Sequence, residues 1–140
     1  YTKALLENGL PFDENLIIKI ENVDNCEITI AKLLEEKAID AVLAVNELFA
    51  VTTIKTAHKM GIKVPQDIAV IAFTDGIISK YSTPSITTVT QNGIEMGNIA
   101  AKILIDRLEA EHDENEDDEE EETYTTTVIE THLIERESTN

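Results

Sequence analysis

The sequence predicts an α/β fold with a parallel sheet flanked by helices, because β-branched apolar runs alternate with amphipathic helical patterns along its length. The runs Ala41-Val42-Leu43-Ala44-Val45 and Ile68-Ala69-Val70-Ile71-Ala72-Phe73 show almost no polar alternation, as expected of strands buried on both faces. A helical pattern from Leu48 to Met60 lies between them, so Asp40 to Gln91 reads strand, helix, strand, short helix. That is a βαβ unit. In open parallel sheets, ligands bind beyond the carboxyl ends of the strands, where polar clusters follow both runs. With 140 residues, 42% of them hydrophobic, one core is the natural number.

Taken in order, Tyr1 to Gly9 reads as the latter half of a helix stopped by Asn8-Gly9, as expected of a piece of something longer. Leu16 to Ile20 is expected to be a strand. Asp24 is the expected N-cap of the next helix, with Glu27 completing a capping box. That helix runs to Lys37, its apolar face taking Ile28, Ala31, Leu34 and Ala38, widened by Ile30 and Leu33. Asn46 is expected to cap the helix that carries Val51, Ile54, Ala57 and Met60, with Gly61 as its left-handed stop. Ile77 to Ser82 forms a short helix closed by Thr83-Pro84, and Thr87 to Gln91 is extended. Asn92 then caps a helix from about Ile94 to Leu108 with Ile94, Met96, Ile99, Ala100, Ile103 and Leu104 on its apolar side. Extended chain resumes at Thr125 to Ile129 and again at Thr131 to Ile134.

The formal charge of −17 is unevenly spread. Residues 109–122 hold 11 acids and no Lys or Arg, which leaves 17 acids against 11 bases, or −6, for the rest. The acidic run is expected to be a solvated, mobile loop. A body of that sign offers no stripe for tracking phosphates, so any DNA contact belongs elsewhere. Cys26 is the only cysteine, which excludes an internal disulfide, and it reads as structural. His58, His112 and His132 lack metal-ligand spacing, and no P-loop, GxGxxG turn or GxSxG elbow occurs. No apolar run reaches membrane-spanning length and no signal peptide precedes the first element. No metal, cofactor or catalytic group is expected.

What remains are polar side chains at segment ends: Asn22 with Asp24, Asn46 with Glu47, Thr74 with Asp75, and Gln91. Capping accounts for each taken singly. Their recurrence at one end of successive strands points to a ligand instead, and amide and carboxylate groups suit neighbouring sugar hydroxyls.

The strings Asp40-Ala41-Val42-Leu43-Ala44-Val45-Asn46-Glu47, Gly61-Ile62-Lys63-Val64-Pro65-Gln66-Asp67-Ile68-Ala69-Val70-Ile71, Phe73-Thr74-Asp75, Thr83-Pro84-Ser85-Ile86-Thr87-Thr88-Val89-Thr90-Gln91 and Arg136-Glu137-Ser138-Thr139 resemble one family. It is the lactose-repressor (LacI/GalR) family of bacterial transcription regulators, in its effector-binding core. The resemblance covers nearly the whole chain apart from the acidic run. It implies a type I periplasmic-binding-protein-like fold, of which residues 1–140 would be the second lobe with crossover segments. It further implies a sugar or nucleobase effector, operator DNA bound through an N-terminal headpiece outside this chain, a homodimer and a cytoplasmic location. Asn46 resembles the family's effector-contacting asparagine and Gln91 the polar residue at the lobe crossover. Thr74 stands where many members have an aspartate that grips sugar hydroxyls, with Asp75 following, and Asn22 and Asp24 lie near another pocket loop. Val51 and Ile54, with Tyr81 nearby, resemble the family's dimer surface, against ordinary core packing as the other reading. A sugar-binding protein of an ABC-type transport system is the alternative function, and an α/β enzyme the third.

Overall fold

A computed structural model describes residues 1–36, 38–110 and 126–140. Residues 111–122 of the acidic run, His112 and Thr125 lie outside the described residues, whereas Glu109 continues a helix.

Helix α1 (Thr2–Glu7) ends as the Asn8-Gly9 pair predicts, with Gly9 at φ +68° and the Leu10 amide donating back to the Leu5 carbonyl at 2.9 Å. Leu16 to Ile20 then departs from expectation. Leu16 closes a 3-10 turn and the following four residues join no sheet. Next, Asn22 and not Asp24 caps the turn ahead of helix α2 (Cys26–Glu36), its side chain accepting from the Asp24 amide at 2.9 Å. The inward face of α2 also differs: Ile30 is 5% exposed and Ile28 is 72% exposed, because Cys26 and Ile30, four apart, form the buried line.

Strand β1 (Ala41–Ala44), helix α3 (Glu47–Lys59) and strand β2 (Ala69–Ala72) form the expected βαβ unit. Gly61 takes φ +77° after α3, and the Ile62 amide closes the turn on the Ala57 carbonyl at 2.9 Å. Helix α4 (Ile77–Tyr81) leads to β3 (Thr87–Thr90), then helix α5 (Gly93–Ala110) and strand β4 (His132–Ile134). The sheet order is β1-β2-β3-β4, with the first three parallel and β4 antiparallel to β3. It is therefore a mostly parallel, open sheet flanked by helices.

Ala50, Ile54 and Ala57 of α3 pack with Val70 and Ala72 of β2, and with Ile68 and Ile86, as the core. On the opposite side of the sheet Leu43, Val45 and Phe73 are exposed. Helix α5 also presents its apolar residues to solvent, with only Ile99 half-buried among its described side chains. Helical periodicity establishes that a stripe exists and not what covers it. Asn92 does not cap α5 through its side chain. Its φ is +48°, and its side-chain Nδ2 donates to the Glu130 carbonyl at 2.8 Å, tying the start of α5 to the returning segment.

Candidate functional site

Because β1, β2 and β3 are parallel and adjacent, their carboxyl ends share one edge of the sheet. That edge carries Asn46 after β1, Thr74 and Asp75 after β2, and Gln91 after β3. Asn46 is half-buried and its Oδ1 accepts from the Phe49 amide at 3.0 Å, the predicted cap. Its Nδ2 donates to no group among the described residues, so cap and ligand contact use different atoms. Thr74 is half-buried, its hydroxyl turned back to the Phe73 carbonyl. Gln91 is exposed.

Asp75 is occupied within the protein. Its Oδ1 accepts from Thr88 Oγ1 at 2.9 Å and Arg136 Nη2 at 2.6 Å, and Lys80 Nζ lies 3.7 Å from Oδ2. Arg136 spends its other terminal nitrogen on the Ile86 carbonyl at 2.7 Å and Thr88 Oγ1 at 3.0 Å. Burial of Asp75 by itself raises its carboxyl, but the hydrogen bonds from Arg136 and Thr88 and the nearby positive charges outweigh it and hold the group below the usual carboxylate range. Asp75 thus positions the strand tip next to Thr74. Asn22 and Asp24, both exposed, are joined by a hydrogen bond within their own turn, and neither bonds to Asn46, Thr74 or Gln91 among the described residues.

Two site-shaping roles escaped the sequence reading, which names Glu47 only as Asn46's neighbour at a strand end and Arg136 only within a matching string. Glu47, next to Asn46, reaches across to α4, where its Oε1 accepts from the Gly76 and Ser79 amides at 2.8 Å each. This supplies the start of α4 with the acceptor its own sequence lacks. Arg136 is the other, and it lies 61 residues from Asp75, beyond the reach of any local pattern.

A Cβ at Gly76 would sit 2.3 Å from Glu47 Oε2. Gly76→Ala is therefore expected to displace the Glu47 carboxylate and lower stability by about 1–3 kcal/mol. A urea midpoint equal to that of the parent would show that Glu47 moves without cost.

The expected dimer residues separate. Ile54 is 3% exposed and belongs to the core, correcting its placement on a partner-facing surface. Val51 is half-buried against the same core, while Tyr81 is 82% exposed beside exposed Ile77 and Ile78. Cys26 is buried, which pushes its thiol up against a smaller opposing pull from Thr52. Among the described residues, no three or more His, Cys, Asp or Glu gather as a metal cluster. None of the helices described is long and apolar enough to cross a membrane.

Residues 1–139 match the periplasmic binding protein-like domain family. The chain belongs to that family. Among curated relatives of this periplasmic binding protein-like domain, the HTH-type transcriptional regulator CelR of Thermobifida fusca is 30% identical over 99% of the chain. The HTH-type transcriptional regulator MalR of Clostridium butyricum is 33% identical over the same share. The chain spans 38% and 39% of these two proteins. Among solved structures, a complex of transcriptional regulator CelR with cellobiose aligns with a TM-score of 0.78 at 30% identity, over 99% of this chain and 40% of that one. The Escherichia coli transcriptional repressor AscG aligns with a TM-score of 0.80 at 27% identity, over 99% and 47%. Such relatives favour the regulatory reading of the fold over the transport one.

Proposed function

We propose that these residues are the effector-binding part of a bacterial helix-turn-helix transcription regulator whose effector is a sugar. The observation that carries this reading is the gathering of Asn46, Thr74 and Gln91 at the carboxyl ends of three adjacent parallel strands, where open α/β sheets bind ligands. Asn46 Nδ2 serves as a hydroxyl-recognising donor, Thr74 offers a hydroxyl once rotated, and Gln91 stands at the exit toward α5. Asp75, Arg136 and Glu47 hold these tips in place. The opposite wall of the cleft and the DNA-binding headpiece belong to the rest of the whole protein, in which residues 1–140 form the second lobe with crossover segments. Effector bound across the cleft favours one arrangement of the two lobes, and that difference in affinity repositions the headpieces on operator DNA.

The regulator acts in the cytoplasm as a homodimer, pairing through the exposed side of α4 at Tyr81 and Ile77. Neither catalysis nor a cofactor is required. The relatives' cellobiose complex makes plant-type disaccharides the first compounds to try.

A thermal-shift screen of sugars on the full-length protein identifies the effector, and Asn46→Asp then tests the site. Aspartate retains the cap oxygen at a helix N-terminus that favours negative charge, but loses the Nδ2 donor. Effector affinity measured by calorimetry is expected to fall by about 1–3 kcal/mol, with the ligand-free melting midpoint unchanged. Unaltered affinity would leave Asn46 as a cap alone, and a screen in which no sugar raises the midpoint would overturn the choice of ligand.

A further inference from the structure

Two Asn-Gly pairs and one Asp-Gly pair occur in the chain: Asn8-Gly9, Asn92-Gly93 and Asp75-Gly76. A glycine after Asn or Asp leaves its amide nitrogen unobstructed, so that nitrogen can close a succinimide ring on the carbonyl carbon of the preceding side chain. The three pairs differ in what each glycine nitrogen already does.

The Gly9 amide donates to the Leu6 carbonyl at 3.1 Å, and the Gly76 amide donates to Glu47 Oε1 at 2.8 Å. Both are committed. Asp75 is moreover held as a carboxylate by Arg136 and Thr88, and a carboxylate is a poor electrophile. Gly93 opens helix α5, where the first amides have no intrahelical partner, and its own amide has no acceptor among the described residues. Gly93 is exposed, and a Cβ built there would meet nothing within 4 Å, so the approach is open. The Thr90 hydroxyl lies 3.4 Å from Asn92 Oδ1, the oxygen that gains charge when Cγ is attacked.

We propose that Asn92-Gly93 is a site of spontaneous covalent modification, at which Asn92 loses its side-chain amide and becomes a mixture of aspartate and isoaspartate. The Gly93 nitrogen forms a bond to Asn92 Cγ and gives up its proton, while the Cγ–Nδ2 bond breaks and Nδ2 takes up a proton to leave as ammonia. Water then opens the ring. Cleavage at Cγ leaves aspartate on the original backbone, whereas cleavage at the main-chain carbonyl carbon leaves isoaspartate, with the chain running through Cγ. One water enters, one ammonia leaves, and nothing is oxidised or reduced.

Before the reaction, Nδ2 donates to the Glu130 carbonyl at 2.8 Å. A carboxylate in its place sets an acceptor against an acceptor, so the tie between the start of α5 and the returning segment is lost. The new negative charge suits the N-terminus of α5, which favours the product. Isoaspartate also adds a methylene to the main chain between Gln91 and α5. On the reading of the strand tips as an effector site, with Gln91 a contact, modification therefore lowers effector affinity.

Timed incubation of the full-length protein at mildly alkaline pH, native and in urea, tests this. Peptide mass spectrometry reads loss of the amide, and methyl transfer by an isoaspartate-specific carboxyl methyltransferase reads the isoaspartate. In urea both Asn-Gly pairs should convert at similar rates. In the native protein Asn92 should convert about fivefold to tenfold faster than Asn8, whose glycine amide must first give up a hydrogen bond. Gly93→Ala sets a Cβ beside the attacking nitrogen and should suppress conversion, with the melting midpoint retained because alanine is favoured in a helix. Native Asn8 converting as fast as Asn92, or Asn92 remaining intact while both convert in urea, would overturn the proposal. Undiminished conversion in Gly93→Ala would do the same. Conversion at Asn92 with effector affinity unaltered would uphold the modification and count against Gln91 as an effector contact.

Discussion

Replacing Arg136 with methionine is expected to lower the free energy of unfolding by about 3 kcal/mol, the range found when one partner of a buried ion pair is removed. The side chains of Arg136 and Asp75 are only 15% and 10% exposed, so water cannot take over the lost contacts. Methionine retains much of the apolar stem but leaves the Asp75 carboxylate with Thr88 and a more distant Lys80, and the Ile86 carbonyl without its side-chain donor. Adding Asp75→Asn to the same chain should restore part of the loss, because an amide is far cheaper to bury unpaired than a carboxylate. Urea unfolding of the two variants measures both effects. A loss below about 1 kcal/mol for Arg136→Met would place the pair with ordinary surface bridges.

Acid should reveal the same pair. A carboxyl held below its usual value in the folded state stabilises fully above the unfolded value of about 3.9, and that contribution fades as pH falls through the folded value. The parent protein therefore loses the Asp75 contribution below about pH 4. Arg136→Met, already without it, should show a shallower loss from this group over the same interval.

The parts of the fold visible in the sequence are those decided by near neighbours. Asn46 caps the helix that starts one residue later, Gly9 and Gly61 stop helices that end beside them, and β1 and β2 have buried-strand composition. What depended on distant partners was not visible. Asp75 read as a ligand contact because its guanidinium partner arrives from the far end of the chain. Leu16 to Ile20 read as a strand, but composition makes a strand only where a neighbour supplies hydrogen bonds. On α2 both Ile28 and Ile30 suit an apolar face, and only the position of α3 decides that Ile30 turns inward. The candidate site divides in the same way: its position at the strand tips follows from local pattern, while the supports beneath it, Glu47 on α4 and Arg136 on Asp75, are long-range.

Ile54→Ala is the second large expected effect, and it decides between two readings of helix α3. Ile54 is nearly inaccessible, and its core companions include Ala50, Ala57 and Ala72, whose side chains are too short to move into vacated space. The cavity should therefore persist, and the loss should be about 3–4 kcal/mol, in the upper half of the range for isoleucine to alanine. Tyr81→Ala removes a larger side chain from a mostly solvated position and should change the unfolding free energy of the monomer by less than about 0.5 kcal/mol. The two variants should exchange rank when self-association is measured by sedimentation. Tyr81→Ala is expected to weaken the dimer, because an exposed aromatic beside Ile77 has contacts to gain only from a partner. Ile54→Ala should leave association unchanged under conditions where the variant remains folded, since its side chain cannot reach another surface. Equal destabilisation of the monomer by both would show that Tyr81 packs into the same core as Ile54 and would remove α4 as the pairing face.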